Sequence, residues 1–197
     1  MKQRRAAIGI KSKTGRGIAV VLRHSAGVPE FVLREELKLY DEKITATIQP
    51  YHQIMELPSS EWAAAIKPAI AAIEKIAVAS LKKLIDEVES RGMGIASIAV
   101  VGPKDRQLER IGNPHIRAHA AEGVLYRAVI ETAAKRNDCP SRAFVDPTPE
   151  LRRPSQQIRK VLAELGKVAG PPWRADEKIA AVAAWVSLPT PSRPSKR

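Results

Sequence analysis

The chain has 197 residues, 44% of them hydrophobic and 27% charged, with 11 Gly, 15 Pro and one Cys. That is the composition of a single globular domain, and it excludes collagen, coiled coil and wholesale disorder; at this length about 70% of the unfolded surface can be buried, so a core needs neither disulfide nor structural metal. The 33 Lys and Arg against 21 Asp and Glu give a net charge of +12, a balance that attracts polyanions.

Ala6 to Lys11 is an apolar, β-branched run, Ser12 to Gly17 reads as a turn, and Ile18 to Arg23 resumes the run, so the chain is expected to open on a hairpin. Phe31-Val32-Leu33, with Leu37 and Leu39 beyond, gives a third antiparallel strand with a bend near Glu35-Glu36. Residues 41 to 58 form a long connection. Ser59-Ser60-Glu61 supplies an N-cap, and apolar positions from Trp62 to Val88 keep a helical period until Gly92, with Pro68 expected to kink or split the helix. Ile95 to Val101 is almost continuously apolar, as in a parallel strand buried on both faces. Asn113-Pro114 opens a helix reaching about Arg136, with Ala121, Val124, Leu125 and Ala128 as its expected inner stripe. Ala143 to Val145 is a short strand. Pro154-Ser155 opens another helix, with Gly166 as its expected stop, and Asp176 to Leu188 is a final alanine-rich helix. Residues 1–188 thus form one domain, and Pro189 to Arg197 reads as a disordered basic Pro/Ser tail.

Several features carry chemistry. Residues 1 to 23 hold Lys2, Arg4, Arg5, Lys11, Lys13, Arg16 and Arg23 with no acid, the first being Glu30, a concentration that suits nucleic acid or phosphate and equally a solvated rim. Lys11, Ser12, Lys13 and Arg16 around the first turn are the candidate phosphate ligands, the glycine turn adding backbone N–H groups. His115, His119 and Glu122 stand at i, i+4 and i+7, so they share a helical face and two imidazoles could reach one Zn²⁺, although two histidines make half a site and a solvated face explains them as well. Asp146 before Pro147 is a common strand-ending turn, and Asp176 with Glu177 is a common helix start. Cys139 lacks the basic neighbours of a reactive thiol. No P-loop, dinucleotide glycine pattern or Ser-His-Asp arrangement occurs. Scattered aromatics offer no stacking platform for single strands, so any nucleic-acid contact would lean on phosphates. No stretch nears the ~20 apolar residues of a membrane span and no signal pattern opens the chain, so no membrane contact and a cytoplasmic location are expected.

The order βββ, then α-β-α-β, then two helices, implies a mixed α/β sheet with helices on both faces. Together with Ile8-Gly9-Ile10-Lys11-Ser12-Lys13-Thr14-Gly15-Arg16-Gly17-Ile18-Ala19-Val20-Val21, it resembles the ribonuclease H-like superfamily and, within it, the Holliday junction resolvases. The resemblance implies a five-stranded mixed sheet. It also implies, for active nucleases, a first-strand aspartate bridging two Mg²⁺ ions with further carboxylates near the fourth strand and on the last helix. Here the corresponding run is Gly9-Ile10-Lys11, and an ammonium at that point repels the cations a two-metal centre must hold. The leading expectation is therefore a catalytically degenerate ribonuclease H-like domain that binds nucleic acid or another polyanion and needs no cofactor. The alternatives are a divergent Mg- or Zn-dependent nuclease or hydrolase using Asp105, Asp146, Asp176, Glu177 and the two histidines, and a non-enzymatic protein-interaction domain.

Overall fold

The computed structural model describes residues 4–25, 27–58, 60–104 and 107–189. Ser59, Asp105 and all of the expected tail except Pro189 lie outside these residues. Three antiparallel strands, β1 (Arg4–Lys13), β2 (Arg16–Ser25) and β3 (Val28–Lys38), are followed by β4 (Met93–Val101) and β5 (Ser141–Phe144). The sheet order is β3-β2-β1-β4-β5, with β4 parallel to both β1 and β5. The helices are α1 (Trp62–Ala65), α2 (Lys67–Ser90), α3 (Pro114–Arg136), α4 (Ser155–Ala169) and α5 (Ala175–Ser187).

Because side chains alternate along a strand, β1 feeds two cores. Ala6, Ile8 and Ile10 pack with Ile73, Leu81 and Leu84 of α2 and Leu125, Tyr126 and Val129 of α3. Ala7, with Val20 and Leu22 of β2, packs on the other face against Ile158 and Leu165 of α4 and Ala180, Ala184 and Trp185 of α5. The alanines of α5 have a specific reason. A Cβ placed on Gly9 would overlap the carbonyl oxygen of Ala180 and stand 2.5 Å from the Ala184 nitrogen, so helix and strand meet almost backbone to backbone. Only a side-chain-free residue on one surface and small residues on the other allow that approach.

Three details differ from the sequence reading and one agrees with it. The opening turn is two residues, Thr14-Gly15, because Lys13 pairs with Arg16; Gly15 supplies the positive φ of +72° the turn needs. The irregularity in the β2–β3 pair lies between Val21 and Leu22, opposite Leu33 and Phe31, and not at Glu35-Glu36. Pro68 splits the long helix as expected, with the break at Ile66. The α4 helix runs through Gly166, which is there for another reason: a Cβ on it would stand 2.5 Å from the Trp173 ring. The helix stops at Gly170, whose φ is +67°. Three carbonyls of the connector that follows, on Gly170, Pro171 and Pro172, accept from the Arg34 guanidinium of β3, pinning the α4–α5 turn to the sheet. Among the described residues, no helix is long and apolar enough to cross a membrane.

Candidate functional site

The residues flagged in the sequence divide between two places. The first is the carboxyl end of β1. Lys11 and Lys13 share the strand face of Ala7 and Gly9, the face covered by α5. Lys13 Nζ donates to Asp176 Oδ2 at 2.7 Å, at the first turn of α5, with both side chains about one-third exposed. Lys11 is partly buried and, among the described residues, its ammonium has no hydrogen-bond or ion-pair partner. Ser12 points to the opposite face and is buried, its hydroxyl donating to the Val101 carbonyl at 3.0 Å. Arg16 pairs loosely with Glu36 at 3.4 Å in the open.

The acid-free opening of the sequence does not fold into one patch. Pairing places Arg5 and Arg23 toward one end of the hairpin, and Lys11, Lys13 and Arg16 at the other. Six residues of strand separate Arg5 from Lys11, about 20 Å at the usual rise. Arg5 donates to the Ile95 carbonyl and Arg23 holds Glu30 at 2.8 and 3.1 Å, so that end is engaged in structure.

The candidate carboxylates have local employment. Asp146 Oδ1 accepts from the Thr148 amide at 2.8 Å, the Asx turn that ends β5. Glu177 Oε2 accepts from the Arg174 amide at 2.8 Å and so caps the first turn of α5, while Asp176 neutralises Lys13. Among the described residues these three form no group with ligand atoms close enough to share an ion. Among the described residues, the acids and lysines at the end of β1 therefore do not fit a pair of magnesium ions.

The second place was half legible. His115 and His119 stand side by side on α3 with their Nε2 atoms 3.1 Å apart. Both are exposed, but they border the inner stripe of α3, which runs through Ala118, Ala121, Glu122, Leu125, Tyr126, Val129 and Ile130. Val124 is only half-buried and Ala128 is exposed, so the expected stripe was rotated from the true one. Glu122 is wholly buried, and its Oε1 lies 2.8 Å from Nδ1 of His52, a residue the sequence reading passed over in the connection. His52 packs edge-on to both helical histidines, with ring centroids 4.9 Å from His115 and 4.4 Å from His119.

The connection is held where it lies. Gln53 donates to the Thr45 carbonyl at 2.6 Å, Trp62 Nε1 to the Leu57 carbonyl at 3.1 Å, and the buried Tyr126 hydroxyl to the Thr47 carbonyl at 2.8 Å. Burial, reinforced by the charge of Glu122, pushes the Tyr126 phenol far above its usual pKa, so it stays a donor at any physiological pH. Tyr126→Phe is expected to leave the Thr47 carbonyl without this donor and to lower stability by about 1–3 kcal/mol, measured by urea unfolding. Cys139 is a poor nucleophile: burial, with Glu89 and Asp138 adding negative charge, raises its thiol pKa.

No protein-family model matches the sequence, and no curated protein matches it. Solved structures do match the fold. Thermus thermophilus RuvC in complex with a Holliday junction substrate superposes over 92% of this chain and 91% of its own, with a TM-score of 0.52 and 14% identity. A second structure of T. thermophilus RuvC covers 92% of each chain, at a TM-score of 0.47 and 11% identity. The fold is thus ribonuclease H-like, of the resolvase kind, with the three-antiparallel, two-parallel strand arrangement expected from the order of elements.

Proposed function

We propose that this chain is a nucleic-acid-binding domain of ribonuclease H-like fold in which lysine chemistry replaces two-metal chemistry at the end of β1. Phosphate backbone is held there by Lys11, Lys13 and Arg16. The observation that carries the reading is Lys11: a lysine on the α5 face of the first strand, partly buried and without a counter-ion among the described residues. A charge in that position is an unused electrostatic resource for an anion. Its neighbours are available too. The Lys13–Asp176 and Arg16–Glu36 pairs are solvent-accessible, and such pairs are worth only about 0–1 kcal/mol, so an incoming phosphate can compete for either cation.

The relation to the structures of known proteins supports the choice of ligand, since the T. thermophilus RuvC structure of the same fold holds a branched DNA. Contacts from lysine and arginine to phosphate fix register and position without reading sequence. Affinity is accordingly expected to fall linearly in log salt and to depend more on nucleic-acid shape than on bases.

Fluorescence anisotropy with branched, duplex and single-stranded DNA and with RNA across a salt series tests this. The Lys11→Glu/Lys13→Glu double variant is expected to bind at least about tenfold more weakly and to flatten the salt slope by about 2, since each lost phosphate contact removes about 0.9. An unchanged slope in that variant would remove β1 from the interface, and absence of binding at low salt would end the nucleic-acid reading. Mg²⁺ added to the complexes is expected to produce no cleavage; cleavage that requires Asp176 would show that hydrolytic chemistry survives.

A further inference from the structure

Three of the chain's four histidines meet at one point. One ring nitrogen from each of His52, His115 and His119 lies within 4.8 Å of the other two. Two of the three come from successive turns of α3 and the third from the short helical turn His52–Ile54, so the cluster joins elements far apart in sequence.

The carboxylate beneath them is what separates this group from a chance stack of rings. Glu122 is fully buried, an expensive place for an acid unless something nearby needs its charge. Its Oε1 engages His52 Nδ1, which sets the tautomer: Nδ1 carries the proton and Nε2 keeps its lone pair. That Nε2 is itself buried and, among the described residues, without a hydrogen-bond partner, as is the second oxygen of Glu122. A carboxylate orienting an imidazole whose other nitrogen is left bare is the arrangement in which histidine binds metal.

We propose that His52, His115 and His119 bind a single zinc ion through ring nitrogens, with Glu122 as the positioning residue behind His52 and a water on the fourth, solvent-facing side. The geometry is close to that required. Zinc–nitrogen bonds of about 2.0–2.1 Å in a tetrahedron put ligand nitrogens about 3.4 Å apart. His115 and His119 are already at 3.1 Å, and the remaining closure is a side-chain rotation of two exposed residues. Three neutral imidazoles select zinc and its first-row neighbours over magnesium or calcium, which prefer oxygen. The inference is independent of the nucleic-acid reading.

Isothermal titration of the chelator-treated full chain with zinc chloride, repeated with cobalt(II) while following its visible absorption, tests the site. The expected result is one zinc per chain, a tetrahedral cobalt spectrum and no uptake of Mg²⁺ at the same concentrations. The exposed His119→Ala variant, which should fold normally by circular dichroism, is expected to lose both signals. The His24→Ala variant, away from the cluster, is expected to titrate as the wild type. Glu122→Gln is expected to weaken zinc binding by about 10- to 100-fold. Absence of zinc uptake, or uptake that His119→Ala leaves unchanged, would overturn the proposal. An unaltered affinity in a folded Glu122→Gln protein would overturn the role given to Glu122.

Discussion

Replacing Gly9 by alanine is expected to lower the melting temperature by about 6–12 °C, although it adds one methyl group. The cause is what that methyl meets. It would overlap the Ala180 carbonyl oxygen and crowd the Ala184 nitrogen, and both belong to the backbone of α5. A flexible side chain could swing aside, but a helix can yield only by moving as a unit away from β1, which would open the core containing Ala7, Val20, Leu22 and Trp185. Overpacking of a close-fitting core costs about 1–3 kcal/mol, and a backbone obstruction belongs at the top of that range. For a chain of this size each kcal/mol moves the midpoint by about 2–4 °C. Scanning calorimetry measures the shift; a change under about 2 °C would show that α5 is less firmly seated than its packing implies.

The second large effect concerns zinc. If the ion binds only the folded chain, zinc at a hundredfold excess over its dissociation constant adds about 2.7 kcal/mol of stability, or about 5–11 °C in melting temperature. His52 reaches the ion from the connection and the other ligands from α3, so unfolding must break the site, and the whole increment should appear in the global transition. His119→Ala should melt at the same temperature with and without zinc. A zinc-dependent rise that persists in that variant would place the stabilising ion elsewhere.

These two regions show why some features could be read from the sequence and others could not. The succession of strands and helices followed from hydrophobic period and from the spacing of turns, and the meander and crossover helix then implied a mixed sheet. Helix ends with local chemical signals were legible: Asn113 does cap α3, its side chain accepting from the Ile116 amide. Gly166 misled because a glycine inside a helix resembles a stop until the Trp173 ring above it is visible. Glu122 misled in the same way. An acid at a 3.6-residue spacing from two histidines looks solvated, and nothing local reveals that it is buried beneath a connection.

His52 was the largest omission, and for a physical reason. It stands 70 residues before Glu122, in a segment whose conformation comes from contacts with α3 and not from any periodicity of its own. The usable clue was compositional: a chain with only four histidines had placed two at adjacent turns of one helix. The basic opening erred in the other direction. Seven cations without an acid looked like one patch in sequence, yet an extended strand carries its side chains too far apart for that, and only Lys11, Lys13 and Arg16 finish at one end.

The outer strands have a bearing on how the protein behaves at high concentration. An exposed strand edge is a template on which another chain can add, and this sheet ends in β3 on one side and β5 on the other. The two edges are guarded differently. β5 is four residues long and gives an incoming strand little to pair with. β3 is eleven residues long, but it contains Pro29, which cannot donate a ladder hydrogen bond, and carries Glu30, Arg34, Glu35, Glu36 and Lys38 along its length. A second copy aligning there would have to desolvate those charges while bringing its own charge of +12 against the same sign. Sheet-to-sheet growth, the usual route from a long edge strand to fibrous aggregate, is thereby blocked by residues that contribute little to the core.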